Sequence, residues 1–536
     1  MPVVALDKTD LRTLTGLPLK LVRERLPMLG CTIERETHDA LEVEFFPDRP
    51  DLFSVEGAAR ALRTFLGKER GLRKYAVKPS GARLVADTSV RKVRPAVAAA
   101  YLRGVKLGDR TLRSLIRLQE HLHWTIGRNR RRVAIGLHDA AKVEPPFRYT
   151  TAEPGFRFRP LDEPAEMALG KILEEHPTGR AFGATLRGRD RLPLILDAKG
   201  RVLSFPPIIN AELTRVSSAT RDLFVEVTGT GEEVGTALTI VATSLAERGA
   251  RIESVAVEEG KARRTTPDLR PRKAALKAAE ASALLGLDLT AAKTAQLLSK
   301  MGFGARPRGA SVDVEVPAYR VDILHPWDLA EDVAKAWGFD SIEGVLPAAG
   351  TGGRDPVEVR KALAREVLVG LGYQEIVGFT LTRREDDFDR LRLPAEGHTP
   401  IANPVSREQT QVRTRLLGTL LVLLAANKHR DHPQRLFEVG EALREGRQFP
   451  AAAAVSVHGR AAFAEARSLA DGFLREMALG ISIVPGDHPS FIPGRCGALL
   501  AGQRVVGHFG ELHPLVLEAF GLELPAVALE VEIPGE

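Results

Sequence analysis

Between Asp322 and Asp332 the sequence reads Asp-Ile-Leu-His-Pro-Trp-Asp-Leu-Ala-Glu-Asp. Pro326 suits the first turn of a helix, where its missing N–H is not needed. On a helix that starts there, Asp328, Glu331 and Asp332 stand at positions i, i+3 and i+4 and share one face. The stretch therefore predicts a helix with an acidic face.

Four carboxylates so close together repel each other unless a positive charge neutralises them, since Asp322 lies only a short turn ahead of the helix. Mg²⁺ takes oxygen ligands of this kind and keeps several waters, so a magnesium site is one interpretation. Acids in a first helical turn also interact favourably with the helix dipole, and Arg320 could pair with one of them. From spacing alone the second interpretation is favoured.

The residues before this stretch predict a small module. A helix within Leu284–Met301 begins after Thr290 and ends at Gly302. Val312–Val316 alternates like a strand, and the acidic helix follows near Pro326. Helix, strand and helix in so short a span favour a winged-helix or helix-turn-helix-like module.

Outward from this module, the 536 residues exceed what a single core holds, so several domains are expected. Near the N-terminus, Leu41–Phe45 alternates like a strand, and Pro50 with Asp51 is predicted to start a helix. Residues 348–353 read as a linker. The predicted domains are 1–80, 85–262, 268–346 and 354–536, in an α+β multidomain chain.

The last of these domains is predicted to be mostly antiparallel α+β. It contains a helix over Val357–Leu371, a strand over Glu375–Thr382 and an apolar helix around Leu416–Ala426. That apolar run is far shorter than the roughly 20 residues a membrane helix needs, so no membrane association is expected. Two cysteines give no disulfide framework and favour the reducing cytoplasm.

The basic charge is concentrated in one window. The chain carries a net charge of +7, and nine Lys and Arg residues against two acids lie between Tyr101 and Ile135. Such a cluster suits a polyanionic partner, because each neutralised phosphate releases counterions. A solvated helix face followed by a basic hairpin explains it as well, and from charge alone that explanation is favoured.

A second polar motif is Ser204-Phe-Pro-Pro-Ile-Ile-Asn210. The Pro-Pro pair holds the backbone extended, so Ser204 and Asn210 take defined positions, and Glu226 could add a carboxylate. A polar loop that caps its own backbone is the favoured alternative from these residues alone.

Histidines offer no clear site. His121 and His123 lie two apart on a helix and are not expected to face one site, and His138 and His508 are expected to be ordinary strand or loop residues. The sequence has no phosphate-binding Gly-x-x-x-x-Gly-Lys-Ser/Thr loop and no zinc-protease or nucleophile-elbow motif.

In their order along the chain, several segments resemble the β subunit of phenylalanyl-tRNA synthetase, archaeal/eukaryotic type. The resemblance runs nearly end to end. It is carried by Arg25–Gly30, Val43–Gly57, Arg132–Asp139, Ser204–Asn210 with Val227–Thr230, Val321–Phe339, Ile401–Ser406, Arg435–Gly440 and Gly507–Pro514.

The resemblance implies a class II synthetase of two α and two β chains. The α subunit would activate phenylalanine with ATP, and residues 354–536 would form a catalytic-like scaffold without that activity. Residues 268–346 would form a magnesium-binding module. The implied magnesium ligands are Asp322, Asp328, Glu331 and Asp332.

The resemblance also implies that residues 85–262 form an editing domain, which hydrolyses tyrosine wrongly attached to tRNA(Phe). A pocket for phenylalanine cannot exclude tyrosine completely, so a second site that recognises the hydroxyl is physically sensible. The implied editing residues are Gln119, Arg130, Ser204, Asn210 and Glu226. There is no evident nucleophile with an adjacent base, so covalent catalysis is not expected.

Two other functions compete with this interpretation. A free-standing hydrolase of mischarged tRNA would need the editing-like region but not the long C-terminal domain. A nucleic-acid-binding scaffold would use the helix-strand-helix module and the basic window, but the acidic cluster is expected to make that module a poor phosphate binder.

Overall fold

The computed structural model describes residues 2–346, 350 and 352–534. The chain is a mixed α/β, multidomain protein that divides into two compact units, Met1–Val345 and Leu346–Glu536. Of the predicted linker, residues 348, 349 and 351 lie outside the described part. No helix in the described part is both long and apolar enough to cross a bilayer.

The first unit begins with a three-stranded antiparallel sheet in the order β1-β3-β2. Ser54 caps α3 by accepting from the Gly57 amide, so the predicted start at Pro50 and Asp51 is wrong. These two residues form a tight turn instead, in which Asp51 is buried against Arg49. The elements are β1 (Val3–Asp7), α1 (Lys8–Thr15), α2 (Leu19–Arg25), β2 (Cys31–Glu36), β3 (Ala40–Phe45) and α3 (Val55–Phe65).

A large mixed sheet follows. Its elements are β4 (Val77–Ala86), β5 (Ala96–Arg103), α4 (Asp109–Trp124), β6 (Val133–Asp139), β7 (Phe147–Ala152), β8 (Arg157–Phe158), β9 (Met167–Ala168), α5 (Leu169–Glu175), α6 (Pro177–Phe182), β10 (Leu192–Leu196), β11 (Val202–Phe205), β12 (Ile209–Asn210), β13 (Asp222–Gly229), α7 (Glu233–Ala246), β14 (Arg251–Glu259) and β15 (Ala262–Thr266).

Its strands run in the order β12-β11-β10-β7-β4-β14-β5-β13-β6, with β15 beside β14. Strand β13 pairs antiparallel with both β5 and β6, and from Leu223 onward it is buried. The β10–β11 pair is antiparallel, which confirms the hairpin that holds Ser204. Buried positions on both faces explain why these strands read as nearly continuous apolar runs.

The third part of the first unit is a three-stranded antiparallel sheet in the order β16-β18-β17, packed with three helices. Thr290 caps α9 and Pro326 opens α10, as the sequence predicts. The elements are β16 (Arg272–Lys277), α8 (Ala278–Leu285), α9 (Ala291–Lys300), β17 (Gly304–Arg308), β18 (Ser311–Val316) and α10 (Pro326–Trp337).

The second unit is built on a sheet in the order β19-β23-β24-β28-β27-β26-β25, with separate apolar cores on its two faces. It contains α11 (Pro356–Gly370), β19 (Gln374–Glu375), β20 (Leu381–Thr382), α12 (Arg384–Asp387), β21 (Thr399–Pro400), β22 (Gln411–Val412), α13 (Leu417–Ala426), β23 (Gln434–Arg444), β24 (Arg447–Val457), α14 (Phe463–Glu476), β25 (Ile481–Pro485), β26 (Phe491–Ala501), β27 (Arg504–Leu512), α15 (Pro514–Phe520) and β28 (Ala526–Glu532).

Apart from the short parallel β19–β23 pair, the pairings of this sheet are antiparallel. The single strand predicted over Glu375–Thr382 is wrong, because β19 and β20 belong to two different sheets. The mainly antiparallel α+β pattern is otherwise as predicted.

Candidate functional site

A cavity of about 510 Å³ lies at the edge of the large sheet in the first unit. The five residues that the resemblance implies for editing all line it: Gln119, Arg130, Ser204, Asn210 and Glu226. They come from α4, the turn after α4, β11, β12 and β13, and are separated by up to 107 positions in the sequence. The fold therefore brings the predicted set together, although for the Ser204–Asn210 motif with Glu226 the residues alone favoured a polar loop that caps its own backbone.

Ser204 and Glu226 form the buried floor of this cavity. The Ser204 Oγ donates to Glu226 Oε1 at 2.8 Å, and both residues are about 1% exposed. Among the residues that the structure describes, none forms a hydrogen bond with the buried Glu226 Oε2. Gly136 stands opposite Glu226 in the β6–β13 pair, and a Cβ there would come within 2.2 Å of Glu226 Oε1. The glycine thus makes room for the carboxylate.

His138 lies behind this carboxylate and is not one of the residues that line the cavity. Its Nε2 is 3.7 Å from Glu226 Oε1, and its Nδ1 is 2.8 Å from Thr214 Oγ1. The residue is fully buried in β6, in keeping with the expected strand or loop position, but its proximity to Glu226 was missed. The alternation of strand residues carries no signal for that proximity, because the two residues lie on neighbouring strands.

The turn after α4 holds Arg130 in an unusual backbone conformation. Arg128, Asn129 and Arg130 have φ values of 46°, 54° and 62°, in the left-handed region that side chains other than glycine and asparagine rarely adopt. Arg94, which is buried, donates to the Arg131 carbonyl at 3.1 Å and helps to hold the turn. Burial lowers the pKa of Arg94 to about 10, so it stays charged at neutral pH.

Arg130 ties this turn to the Pro206-Pro207 segment across the cavity. Its guanidinium donates to the carbonyls of Pro207 and Ile208, at 3.4 and 3.1 Å, and lies 4.2 Å from the centre of the Phe182 ring. The guanidinium also donates to Glu120 Oε1 at 2.9 Å. Arg130 is therefore bound on several sides by protein groups.

Glu120 and His123 complete the same wall. Burial alone would raise the pKa of Glu120, but the His123 and Arg130 groups outweigh it and hold the pKa at about 2. The Ile135 amide donates to His123 Nε2 at 2.8 Å, which leaves the proton of the neutral ring on Nδ1, 3.3 Å from Glu120. Burial lowers the pKa of His123, in keeping with a neutral ring.

The prediction that His121 and His123 do not serve one site is confirmed, since only His123 lines the cavity and His121 meets the Phe53 ring. The place of His123 in the cavity was missed, because the sequence around a lone histidine on a helix does not show which strand it will contact.

Gln119 and Asn210 both line the cavity and carry amide groups. Gln119 Nε2 donates to the Ile135 carbonyl at 2.7 Å, and Asn210 Nδ2 donates to the Leu137 carbonyl at 3.3 Å. Both carbonyls belong to β6, so this strand fixes the two side chains. An amide whose nitrogen is engaged in this way keeps its oxygen available as an acceptor.

The basic window of Tyr101–Ile135 is partly neutralised by acids. Arg103, Arg110, Arg130 and Arg132 each lie within ion-pair distance of a carboxylate. The window therefore offers fewer available charges than the sequence suggests. The remaining cations, which form no ion pair within the described part of the chain, are Lys106, Arg113, Arg117, Arg128 and Arg131.

The acidic stretch near α10 is arranged around an arginine. Buried Arg320 contacts Asp322 at 2.6 Å and Asp332 at 2.5 Å. Asp328 accepts from the backbone amides of Leu324 and His325 and so caps the helix. The arrangement agrees with the interpretation favoured from spacing, in which Arg320 and the helix terminus satisfy the acids.

Glu331 pairs with Lys335 at 2.9 Å, outside the buried group around Arg320. In the described part of the chain, no three His, Cys, Asp or Glu side chains converge as a metal site. Asp332 Oδ1 is nevertheless buried without a hydrogen-bond partner, so this oxygen suits a cation. The carboxylates fit magnesium only in part, because Arg320 already supplies positive charge.

In the second unit, the Arg435–Glu438 segment lies at the start of β23. Glu438 forms a buried ion pair with Arg413 at 2.7 Å, and Arg435 lies 3.7 Å from Glu465. Both side chains are thus engaged with other residues of this unit.

Comparisons with known proteins agree with the order of these parts. The family described as tRNA synthetase B5 domain matches residues 274–339, and the phenylalanyl-tRNA synthetase beta chain CLM domain matches residues 342–533. A phenylalanine–tRNA ligase beta subunit of Methanothrix thermoacetophila is 46% identical over 99% of this chain and 100% of its own length. The chain belongs to the phenylalanine–tRNA ligase beta-subunit family.

Further members of the beta-subunit family show the same extent of similarity. The Methanosarcina barkeri relative is 43% identical over 99% of each chain. The crystal structure of an N-terminal fragment of the phenylalanyl-tRNA synthetase beta subunit from Pyrococcus horikoshii superposes with a TM-score of 0.61 at 36% identity, and covers 63% of this chain and 99% of the fragment. The resemblance read from the sequence is confirmed.

Proposed function

We propose that this beta subunit assembles with an alpha subunit, as two of each, into the ligase that attaches phenylalanine to tRNA(Phe). ATP is consumed at the alpha subunit, and the second unit of this chain serves as a scaffold. The engagement of Glu438 and Arg435 by neighbouring side chains supports the scaffold role. The two cysteines are buried and unpaired, which supports a cytoplasmic location.

The chain's own reaction is the hydrolysis of tyrosine from mischarged tRNA(Phe), in the cavity described above. The observation that carries this proposal is Glu226 Oε2, a buried carboxylate oxygen without a hydrogen-bond partner. A phenolic hydroxyl donates well to a carboxylate, and a phenylalanine ring would leave that oxygen unsatisfied. Sites built to bind a hydroxyl reject the analogue without it by factors on the order of 10⁴.

Water is the nucleophile in this proposal. The Ser204 hydroxyl donates to Glu226, and among the described residues no histidine contacts its oxygen, so Ser204 lacks the histidine base that serine nucleophiles commonly use. The amide oxygens of Gln119 and Asn210 are acceptors that can orient a water toward the ester carbonyl. Ser204 positions Glu226, and Arg130 positions the Pro206-Pro207 segment.

A magnesium ion held by Asp322, Asp328, Glu331 and Asp332 remains part of the proposal on a narrower basis. It is supported by the unsatisfied Asp332 Oδ1 and opposed by Arg320, which competes for Asp322 and Asp332. The ion would stabilise the module of β16 to α10 and take no part in the hydrolysis.

The test is reconstitution with an alpha subunit. The complex should charge tRNA(Phe) with phenylalanine and should release tyrosine from Tyr-tRNA(Phe) much faster than phenylalanine from Phe-tRNA(Phe). A Gln119→Ala, Asn210→Ala variant should keep charging and lose tyrosine release. Failure of the chain to bind alpha would refute the assembly, and equal release of both amino acids would refute the role of the cavity.

A further inference from the structure

A second concave surface lies on the first unit, away from the cavity of Ser204 and Glu226. It is a groove of about 1120 Å³ between the end of α3 and the helices α9 and α10. Its volume exceeds the roughly 300–1,000 Å³ of ordinary small-molecule sites. We call it the α9 groove. The lining residues used below are Arg25, Phe65, Arg70, Lys293, Lys300 and Trp337.

The charged residues that line the α9 groove are all positive. Its lining contains Arg25, Arg70, Lys293 and Lys300 but no aspartate or glutamate. None of these four forms an ion pair with an acid in the described ranges 2–346 and 352–534. By contrast, the neighbouring Arg63 is paired with both Glu69 and Glu247.

Three of the four cations, Arg25, Lys293 and Lys300, also act on each other. Lys300 donates to the Ala336 carbonyl at 2.9 Å and lies 5.1 Å from the Phe65 ring. Burial lowers the pKa of Lys300, and the nearby charges of Arg25 and Lys293 lower it further. No acid among the described residues pairs with these cations, so a polyanion in the groove would be stabilised by all four of them.

We propose that the α9 groove binds the phosphate backbone of the tRNA, at a place separate from the cavity that binds the aminoacyl end. The inference rests on the proposed function, which makes tRNA the polyanion that this chain meets. Lys293 Nζ lies 5.4 Å from the half-buried Trp337 ring, so a cation and an aromatic face stand side by side, as in sites that hold a strand of nucleic acid.

The acidic stretch does not oppose this binding, although the sequence suggests that it should. Asp322 and Asp332 are buried against Arg320, and Glu331 is paired with Lys335. None of the three lines the groove. Helix α10 therefore directs Asp332 toward Arg320 and places Ala336 and Trp337 in the groove.

The experiment measures binding of tRNA(Phe) to the complex with alpha, by fluorescence anisotropy between 50 and 200 mM salt. The variant is Arg70→Ala with Lys293→Ala. Each lost phosphate contact lowers the slope of log K against log salt by about 0.7–0.9, so the fall in affinity across this range should shrink roughly tenfold. An unrelated RNA of equal length should show the same change, since phosphate contacts carry no sequence information.

The matched control is Lys261→Ala with Arg306→Ala, two exposed cations outside the groove lining. It should keep the original slope. If the Arg70→Ala, Lys293→Ala complex keeps the original affinity and slope, the proposal that the α9 groove binds tRNA is refuted. Release of tyrosine by the original complex at saturating tRNA separates the two proposals. If the original complex does not release tyrosine but the groove variant lowers the salt slope, the editing role alone is refuted. If the original complex releases tyrosine but the groove variant leaves the slope unchanged, the groove alone is refuted.

Discussion

The Ser204 hydroxyl lies 2.8 Å from Glu226 Oε1 and donates to it, although β11 and β13 lie far apart in the strand order of the large sheet. The bond occupies one oxygen of a carboxylate that is otherwise enclosed, and it leaves Oε2 without a partner. A buried acceptor without a partner destabilises a fold by about 1–3 kcal/mol, and a ligand hydroxyl that donated to this oxygen would remove that cost. Selectivity for tyrosine follows from this one oxygen in the proposed mechanism.

Glu226→Gln tests that oxygen directly. The amide keeps the size of the side chain but binds a phenol less strongly, and the lost charged hydrogen bond amounts to about 2 kcal/mol, or roughly thirtyfold in kcat/KM for tyrosine release. Deacylation of Tyr-tRNA(Phe) measures it, and charging with phenylalanine should be unchanged. Glu253→Gln, in the same sheet but paired with Arg103, is the matched control and should behave as the original chain. Full deacylation activity in the Glu226 variant would refute the assignment.

Gly136→Ala tests the space that Glu226 requires. The new Cβ would lie 2.2 Å from Glu226 Oε1 and 2.7 Å from His138 Nε2, so the carboxylate must move. Overpacking of this kind lowers the free energy of unfolding by ~1–3 kcal/mol, and tyrosine release should fall with it. Thermal unfolding and deacylation are the measurements. Gly155→Ala, where a Cβ meets nothing within 4 Å, is the control, and equal melting temperatures for both variants would contradict the prediction.

Local signals in the sequence predicted the elements that local interactions build. Thr290 caps α9 because its hydroxyl accepts from an amide three residues on, and Pro326 opens α10 because a helix needs no N–H there. The β10–β11 hairpin forms around Asp197, whose carboxylate accepts from the amides of Lys199 and Arg201. Each of these contacts lies within four positions in the sequence, so spacing alone reveals it.

Contacts between distant segments were not predictable in this way. Glu226 and His138 meet because β13 pairs with β6, and the carboxylate fits because Gly136 stands opposite. His123 enters the cavity only because the amide of Ile135 binds it. The five cavity residues were predicted through a family resemblance, since residue type and spacing alone favoured a self-capping loop for the Ser204–Asn210 motif.

Arg130→Met tests whether this residue holds the cavity wall. The change keeps much of the side-chain length but removes the donors to the Pro207 and Ile208 carbonyls and to Glu120. We expect the Pro206-Pro207 segment to move and tyrosine release to fall by about tenfold or more, since each lost hydrogen bond contributes roughly 1 kcal/mol. Deacylation kinetics measure this. The control is Arg113→Met, on α4 but outside the cavity lining, which should leave the deacylation kinetics unchanged. Equal deacylation rates in the Arg130 and Arg113 variants would contradict the positioning role of Arg130.

Asp328→Ala with Glu331→Ala tests the magnesium proposal. Loss of the helix cap should lower the melting temperature by itself, since a cap contributes about 1 kcal/mol. If magnesium binds, the original chain should melt lower in EDTA, and the variant should show no further change. The control is Asp288→Ala, an exposed carboxylate of the same module, which should keep the EDTA effect. A melting temperature of the original chain that is the same with and without EDTA would refute the metal site.

The lowered pKa of Asp322 leads us to expect a loss of stability in acid. Burial alone would raise its pKa, but the charge and hydrogen bonds of Arg320 outweigh this and lower the pKa from 3.8 to about 2. Because the folded pKa lies below the unfolded one, the stabilisation is complete above about pH 4 and disappears as the pH falls through 2. The difference corresponds to about 2 kcal/mol, since one pKa unit is 1.36 kcal/mol.

Asp322→Asn removes that dependence. Its melting temperature should be lower at pH 6 and should fall less steeply between pH 5 and pH 2, because no proton is taken up at this position on unfolding. Asp340→Asn, an exposed carboxylate just after α10, should keep the steeper profile. Parallel profiles for the Asp322 variant and the original chain would show that Arg320 does not depend on this partner. The stability of the module would then rest on the Arg320–Asp332 contact, since that pair is buried and does not involve the substituted side chain.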